Sequence, residues 1–208
     1  MRQATDEVEG DPMIFLEYIE RDRAFPLELF RHHGGQDWSS PEDRKIANLA
    51  RTMRLAPVPH YMCWWQIKSI ARVDAWEAFF RTADGRLYTA ESPTSKVLNF
   101  TRNGLYDEIV GDGPVPAGLH LAEFFSGDDA TAEETRRYFE SRANAASTGR
   151  LTYVLKRIGL LAPDPGGIAL WTFPDYVAAE PFLRTPRPKG ALRVVEAGLY
   201  RNFGDDIP

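Results

Sequence analysis

Glu17 and Glu123 are the first residues whose setting suggests chemistry. Each sits inside a short apolar run, Met13-Ile14-Phe15-Leu16-Glu17-Tyr18-Ile19 and Leu119-His120-Leu121-Ala122-Glu123-Phe124-Phe125. A carboxylate among apolar strand residues faces either a helix layer or a cavity. Against helices it is costly unless paired; in a cavity it stays hydrated or takes the raised pKa that suits acid–base work. The structural alternative is a bond to arginine. The four histidines, His32, His33, His60 and His120, show no metal-ligand spacing. His32-His33 precedes Gly34-Gly35 like a helix end, and at most one of the two rings can enter a pocket, because neighbours on a helix diverge by about 100°. His60 opens an apolar run and His120 lies inside one, and neutral imidazole is the usual proton-transfer group near pH 7. Glu17, Glu123, His60 and His120 are therefore the candidate catalytic residues. Strand alternation sets Glu123 and His120 on opposite faces, and the glutamates are expected to face inward. Tyr18, Trp64, Trp65, Trp171 and Phe125 are the candidate substrate-binding walls. Tyr18, Tyr106 and Tyr200 offer hydroxyl donors. Cys63, mid-strand beside Trp64, reads as buried and inert.

Composition removes several classes. Lys and Arg total 25 against 30 Asp and Glu, a net charge of −5, which disfavours nucleic acid as a partner. No apolar run reaches the roughly 20 residues of a membrane span, and residues 1–12 lack the features of a secretion signal. A single cysteine permits no intrachain disulfide, so a cytoplasmic setting is expected. No Gly-x-Gly-x-x-Gly, Walker loop or Gly-x-Ser-x-Gly occurs. No metal and no cofactor is expected.

The elements that must position these residues come in duplicate. Leu55-Ala56-Pro57-Val58-Pro59, followed by Trp65, returns 106 residues later as Leu161-Ala162-Pro163-Asp164-Pro165, followed by Trp171. The same offset pairs Glu17 with Glu123. Glu77-Ala78-Phe79-Phe80-Arg81-Thr82 answers to Glu180-Pro181-Phe182-Leu183-Arg184-Thr185, and Gly104-Leu105-Tyr106 to Gly198-Leu199-Tyr200. Residues 1–12 are expected to be a disordered tail, 13–112 the first copy, 113–116 a linker and 117–208 the second copy. Each copy predicts a strand, a helix, a strand, a helix and a closing strand. Ser40-Pro41-Glu42-Asp43 leads into Ile46, Leu49 and Met53 as the start of the first helix of copy one. In copy two, Asp129 or Thr131 caps the corresponding helix. The expected fold is α+β: two ferredoxin-like repeats whose apolar sheet faces meet in an intrachain pseudo-twofold barrel, with a cavity between the sheets.

This repeated unit resembles the dimeric α/β-barrel superfamily in fused tandem form. Cys63-Trp64-Trp65-Gln66-Ile67-Lys68-Ser69 and Leu170-Trp171-Thr172-Phe173-Pro174-Asp175 are similar to the strand end of NIPSNAP-like members. The resemblance implies an enzyme acting on small hydrophobic, often aromatic molecules. In its haem-binding branches the axial histidine comes from a helix of the second half, where this chain has only His120. The expectation is therefore a cofactor-independent lyase, isomerase or cyclase working by proton transfer. The alternatives are a cofactor-free monooxygenase or a non-catalytic small-molecule-binding module. A small hydrophobic substrate is the expected partner, with a homodimer possible and no membrane contact.

Overall fold

A computed structural model describes residues 13–21, 43–52, 59–83, 98–111, 113–127, 129–145, 148–159, 166–190 and 192–202. The elements run β1 Met13–Arg21, β2 Asp43–Arg51, β3 Tyr61–Ile67, α1 Ala71–Arg81, β4 Leu98–Val110, β5 Gly118–Ser126, α2 Ala132–Ala145, β6 Arg150–Arg157, β7 Gly167–Phe173, α3 Tyr176–Arg184 and β8 Arg193–Asn202. All eight strands pair antiparallel and close into a barrel in the order β1-β3-β2-β8-β5-β7-β6-β4. The chain is thus α+β, with helices outside a closed sheet. Among the described residues no helix is long and apolar enough to cross a membrane.

Alternation along each strand gives the sheet two buried faces. One buried cluster draws on all eight strands, including Ile14, Leu16, Tyr18, Met62, Trp64, Tyr106, Phe124, Tyr153, Leu170 and Tyr200, and fills the barrel interior. Two further clusters lie outside. One packs β5, β6 and β7 against Phe139 of α2 and Phe182 of α3. The other joins Ile19, Cys63, Trp65 and Ile67, with Val73 and Trp76 of α1 packed on it. The interior expected to be a cavity between sheets is thus lined by side chains packed as one contiguous core.

Pairing registers correspond across the 106-residue offset. Phe15 faces Trp65 and Glu17 faces Cys63; Leu121 faces Trp171 and Glu123 faces Ala169. The barrel closes along two seams, β2 with β8 from Leu49↔Asn202 to Arg51↔Tyr200, and β4 with β6 from Tyr106↔Arg157 to Val110↔Val154.

One expected element differs in kind. Asp43–Arg51 is a strand, not the opening of a helix. Its register slips between Lys45 and Ala47, so Ile46, Ala47 and Leu49 all join the interior cluster. That bulge breaks the two-residue period and leaves a spacing that imitates a helix. Thr131 does cap α2: its Oγ1 accepts from Glu134 N at 3.2 Å while Glu134 Oε2 accepts from Thr131 N at 2.7 Å.

The β4–β5 connection is tied to four strands. Gly113 O accepts from Tyr153 of β6, Val115 N donates to Ile46 O of β2 at 2.8 Å, Val115 O accepts from Asn202 of β8 at 2.6 Å, and Pro116 O from His120 of β5 at 2.9 Å. Val115 itself belongs to the interior cluster. The connection therefore closes one end of the barrel.

Candidate functional site

The glutamates face outward. Glu123 is fully buried beneath α2, and Arg142 donates to its Oε2. Trp171 Nε1 donates to the same oxygen at 3.0 Å, and Arg187 reaches Oε1 through Nε and a terminal nitrogen, each at 3.2 Å. The Arg142 guanidinium also stacks 4.3 Å above the Phe182 ring and 5.4 Å from that of Trp171. This is a neutralised ion pair in an aromatic core, a structural arrangement. Glu17 takes the equivalent bond from Trp65 Nε1 at 2.9 Å but is only part-buried. Trp65 and Trp171 belong to the two outer clusters, and Phe125 stacks on Phe139 with ring centroids 4.9 Å apart. The expectation that Glu17, Glu123, Trp65, Trp171 and Phe125 look into the barrel is reversed. The physical reason is that the helix side brings the cations: Arg142 of α2, and Arg187 just beyond α3.

His120 faces inward, opposite to the expected orientation. It is fully buried, with Nε2 2.9 Å from Pro116 O and Nδ1 3.0 Å from Thr172 Oγ1. A carbonyl only accepts, so Nε2 carries the proton and Nδ1 accepts from Thr172. Thr172 Oγ1 in turn lies 2.5 Å from Thr152 Oγ1. Burial lowers the imidazole pKa from 6.5 to about 4, against a smaller raising effect from Pro116. A neutral imidazole with both nitrogens engaged serves here as a latch on the connection across the barrel end.

Tyr18 and Trp64 do face inward, as expected of cavity walls. Tyr18 and Tyr106 share a hydroxyl–hydroxyl bond of 2.5 Å, and Trp64 packs edge-on to Tyr153 at 5.7 Å. Tyr200 donates to Pro59 O at 2.9 Å, and burial pushes its phenol far above its usual range. His60 stands half-exposed at the start of β3, with Nδ1 2.6 Å from Glu20 Oε2. Burial, with the nearby Glu17 charge, pushes the Cys63 thiol up, so it is protonated and unreactive. His32 and His33 lie outside the described residues. No group of three His, Cys, Asp or Glu able to hold a metal occurs among the described residues.

Sequence reasoning missed Arg142, Arg187, Thr172, Thr152 and Asn202. For Arg142 a signal existed. Thr135, Phe139 and Arg142 share one helical stripe, and all three are buried. A cation on the apolar stripe of a helix announces a buried acid.

No protein-family profile and no curated protein matches the chain. Its fold is nevertheless that of known structures. A protein assigned provisionally as a chlorite dismutase superposes with a TM-score of 0.58 at 11% identity, over 95% of this chain and 98% of its own. A haem-binding protein from Thermus thermophilus gives 0.56 at 8%, over 95% and 93%. An anthrone oxidase-like protein gives 0.57 at 10%, over 93% and 92%. These likenesses show a shared fold, the chlorite dismutase-like α+β barrel, while the NIPSNAP-like assignment gains no support. The expectation of a cofactor-independent lyase or isomerase is overturned, because these neighbours include chlorite dismutases and a haem-binding protein.

Haem is the group that one neighbour's name carries, and the second outer face, the one under α2 and α3, does not fit it. Phe139, Trp171, Phe173 and Phe182 pack there ring against ring, at centroid distances of 6.3, 4.6 and 5.3 Å in succession from Phe139 to Trp171, Trp171 to Phe182 and Phe182 to Phe173. A Cβ at Gly149 would lie 2.7 Å from the Phe173 ring. No described histidine reaches this layer.

Proposed function

We propose that this chain is a haem-class protein that binds a flat tetrapyrrole on its first outer face, the one under α1, and that it serves an oxidoreductase activity. The neighbours' haem and enzyme names support the class. The side rests on one observation, the unequal filling of the two outer faces. On the second, Phe139, Arg142, Ala179 and Phe182 of the covering helices are buried. On the first, no described side chain of α1 is buried, and Phe79 is 40% exposed. Phe15 and Trp76 meet there edge-on at 5.0 Å, beside the Glu17–Trp65 pair. Those residues suit the apolar edge of a macrocycle. They supply no iron ligand: Cys63 is protonated, His60 is held by Glu20 at the barrel mouth, and His120 is committed inside. The other imidazoles of the sequence are His32 and His33. The group would supply redox chemistry when bound; the described residues bind and cover it.

A haemin titration followed by the Soret band tests this. Saturation at one equivalent is expected, with Trp76→Ala weakening binding about tenfold, the equivalent of 1.4 kcal/mol. His120→Gln should leave the Soret band of the bound group unchanged. A featureless titration, or binding that responds only to Phe182→Ala, would overturn the proposal.

The two-copy reading of residues 13–112 and 117–208 is proposed alongside it. The corresponding registers support it, and an experimental structure in which the halves fail to superpose would refute it.

A further inference from the structure

A groove lies between α2 and the segment 188–190 with Leu192, beside the buried stripe of α2. Its volume is about 420 Å³, and its lining includes Arg137, Tyr138, Ser141, Lys189, Gly190 and Leu192. That volume is in the range of small-molecule sites. Arg137, Tyr138 and Ser141 form one helical stripe, and the opposite wall is tied to it, since Tyr138 donates its hydroxyl to Pro188 O at 3.3 Å. Leu192, 5% exposed, supplies a buried apolar surface. Gly190 keeps the space clear: a Cβ there would come 3.3 Å from the Tyr138 ring.

The rim carries two cations and one acid. Lys189 and Arg137 both border the groove. The acid that also borders it, Glu134, is turned back to the helix start, where Oε2 accepts from Thr131 N at 2.7 Å and from Thr131 Oγ1 at 2.9 Å. Glu133 is shared between Arg136 at 3.8 Å and Arg137 at 3.5 Å, one carboxylate for two guanidinium groups. An aromatic wall, a buried apolar patch and two cations match a flat apolar molecule bearing one anionic group. We propose that this groove is a binding site for an aromatic carboxylate or sulfonate, separate from the tetrapyrrole face and independent of that reading.

The probe is 8-anilinonaphthalene-1-sulfonate, with uncharged N-phenyl-1-naphthylamine as its control, titrated by fluorescence into the full chain. Saturable binding of the sulfonate at one equivalent is expected, with the neutral dye at least about tenfold weaker. The pair Arg137→Glu and Lys189→Glu should weaken the sulfonate by at least about tenfold, and Gly190→Leu should block it. All three positions are exposed, and circular dichroism checks that each variant folds. Trp76→Ala should bind the dye as the parent does, which separates this site from the haem reading. Equal affinity for the two dyes, or sulfonate binding unchanged in both the charge-reversed and Gly190→Leu variants, would overturn the proposal.

Discussion

Glu123 and His120 show how a residue's neighbours decide its role. The two lie on opposite faces of β5, three positions apart. Glu123 gathers cations because helix α2 projects Arg142 onto the outer face. Arg142→Leu removes the buried one of the two cations on Glu123 and leaves only the half-exposed Arg187 and the Trp171 N–H to hold it; the expected cost is about 3 kcal/mol, read from urea unfolding. The double variant Arg142→Leu with Glu123→Leu should recover much of that loss, because no charge is then left in the aromatic layer. Strict additivity of the two changes would show that they do not form the pair described. His120 gives a pH dependence. Its folded pKa of about 4 lies below the ordinary 6.5, so its contribution is complete above about pH 6.5. It is lost as pH falls toward 4, because the unfolded chain takes up a proton that the native chain refuses. The span corresponds to about 3 kcal/mol. His120→Gln should lower the Tm at pH 7.5 and flatten its fall between pH 6.5 and 4. A parallel fall in both proteins would rule out this imidazole as the source.

Among the elements, those with clean periodicity were legible in the sequence. β1, β3, β5 and β7 were readable from aromatic runs, and α1 and α3 from their amphipathic blocks. β2 and β6 were not: each carries a register slip, between Lys45 and Ala47 and between Leu151 and Tyr153, and neither has the repeated Gly-Leu-Tyr block that made β4 and β8 legible despite their own slips. A slip adds one residue and destroys alternation over the very few positions a strand offers. The site suffered from the same limit at one remove. Parity along β5 correctly separated His120 from Glu123, yet parity alone carries no sign. Which face is the interior depends on what the helices bring, and Arg142 lies 19 residues away from Glu123 in sequence. Close packing between elements is testable at Gly167. A Cβ there would stand 2.2 Å from the Phe125 ring and 2.7 Å from Leu155 O. Gly167→Ala should destabilise by about 1–3 kcal/mol, the usual cost of overpacking. A neutral result would mean that β5, β6 and β7 are looser than their pairing indicates.

At the scale of the whole molecule, the barrel couples the two halves through their interiors. β5, β6, β7 and β8 already form one curved sheet, with β7 between β5 and β6 and β8 on the other side of β5. Its outer face is covered by its own helices α2 and α3. Its inner face, with Phe124, Tyr153, Leu155, Ile168, Leu170 and Tyr200, packs against Ile14, Leu16, Met62 and Trp64 of the other half of the barrel. Residues 113–208 expressed alone would therefore keep a covered outer face and expose a broad apolar inner one, with the edges of β6 and β8 unpaired. Exposed apolar faces of this kind drive association, and open strand edges give it a direction. Because β6 and β8 pair with β4 and β2 in the intact chain, a second copy of the fragment can supply equivalent edges. The fragment is expected to sediment as a dimer or a larger assembly, and adding residues 1–112 in trans should convert it to a one-to-one complex. A stable, monomeric, fully folded fragment in analytical ultracentrifugation would show that the interior core is not what holds the halves together.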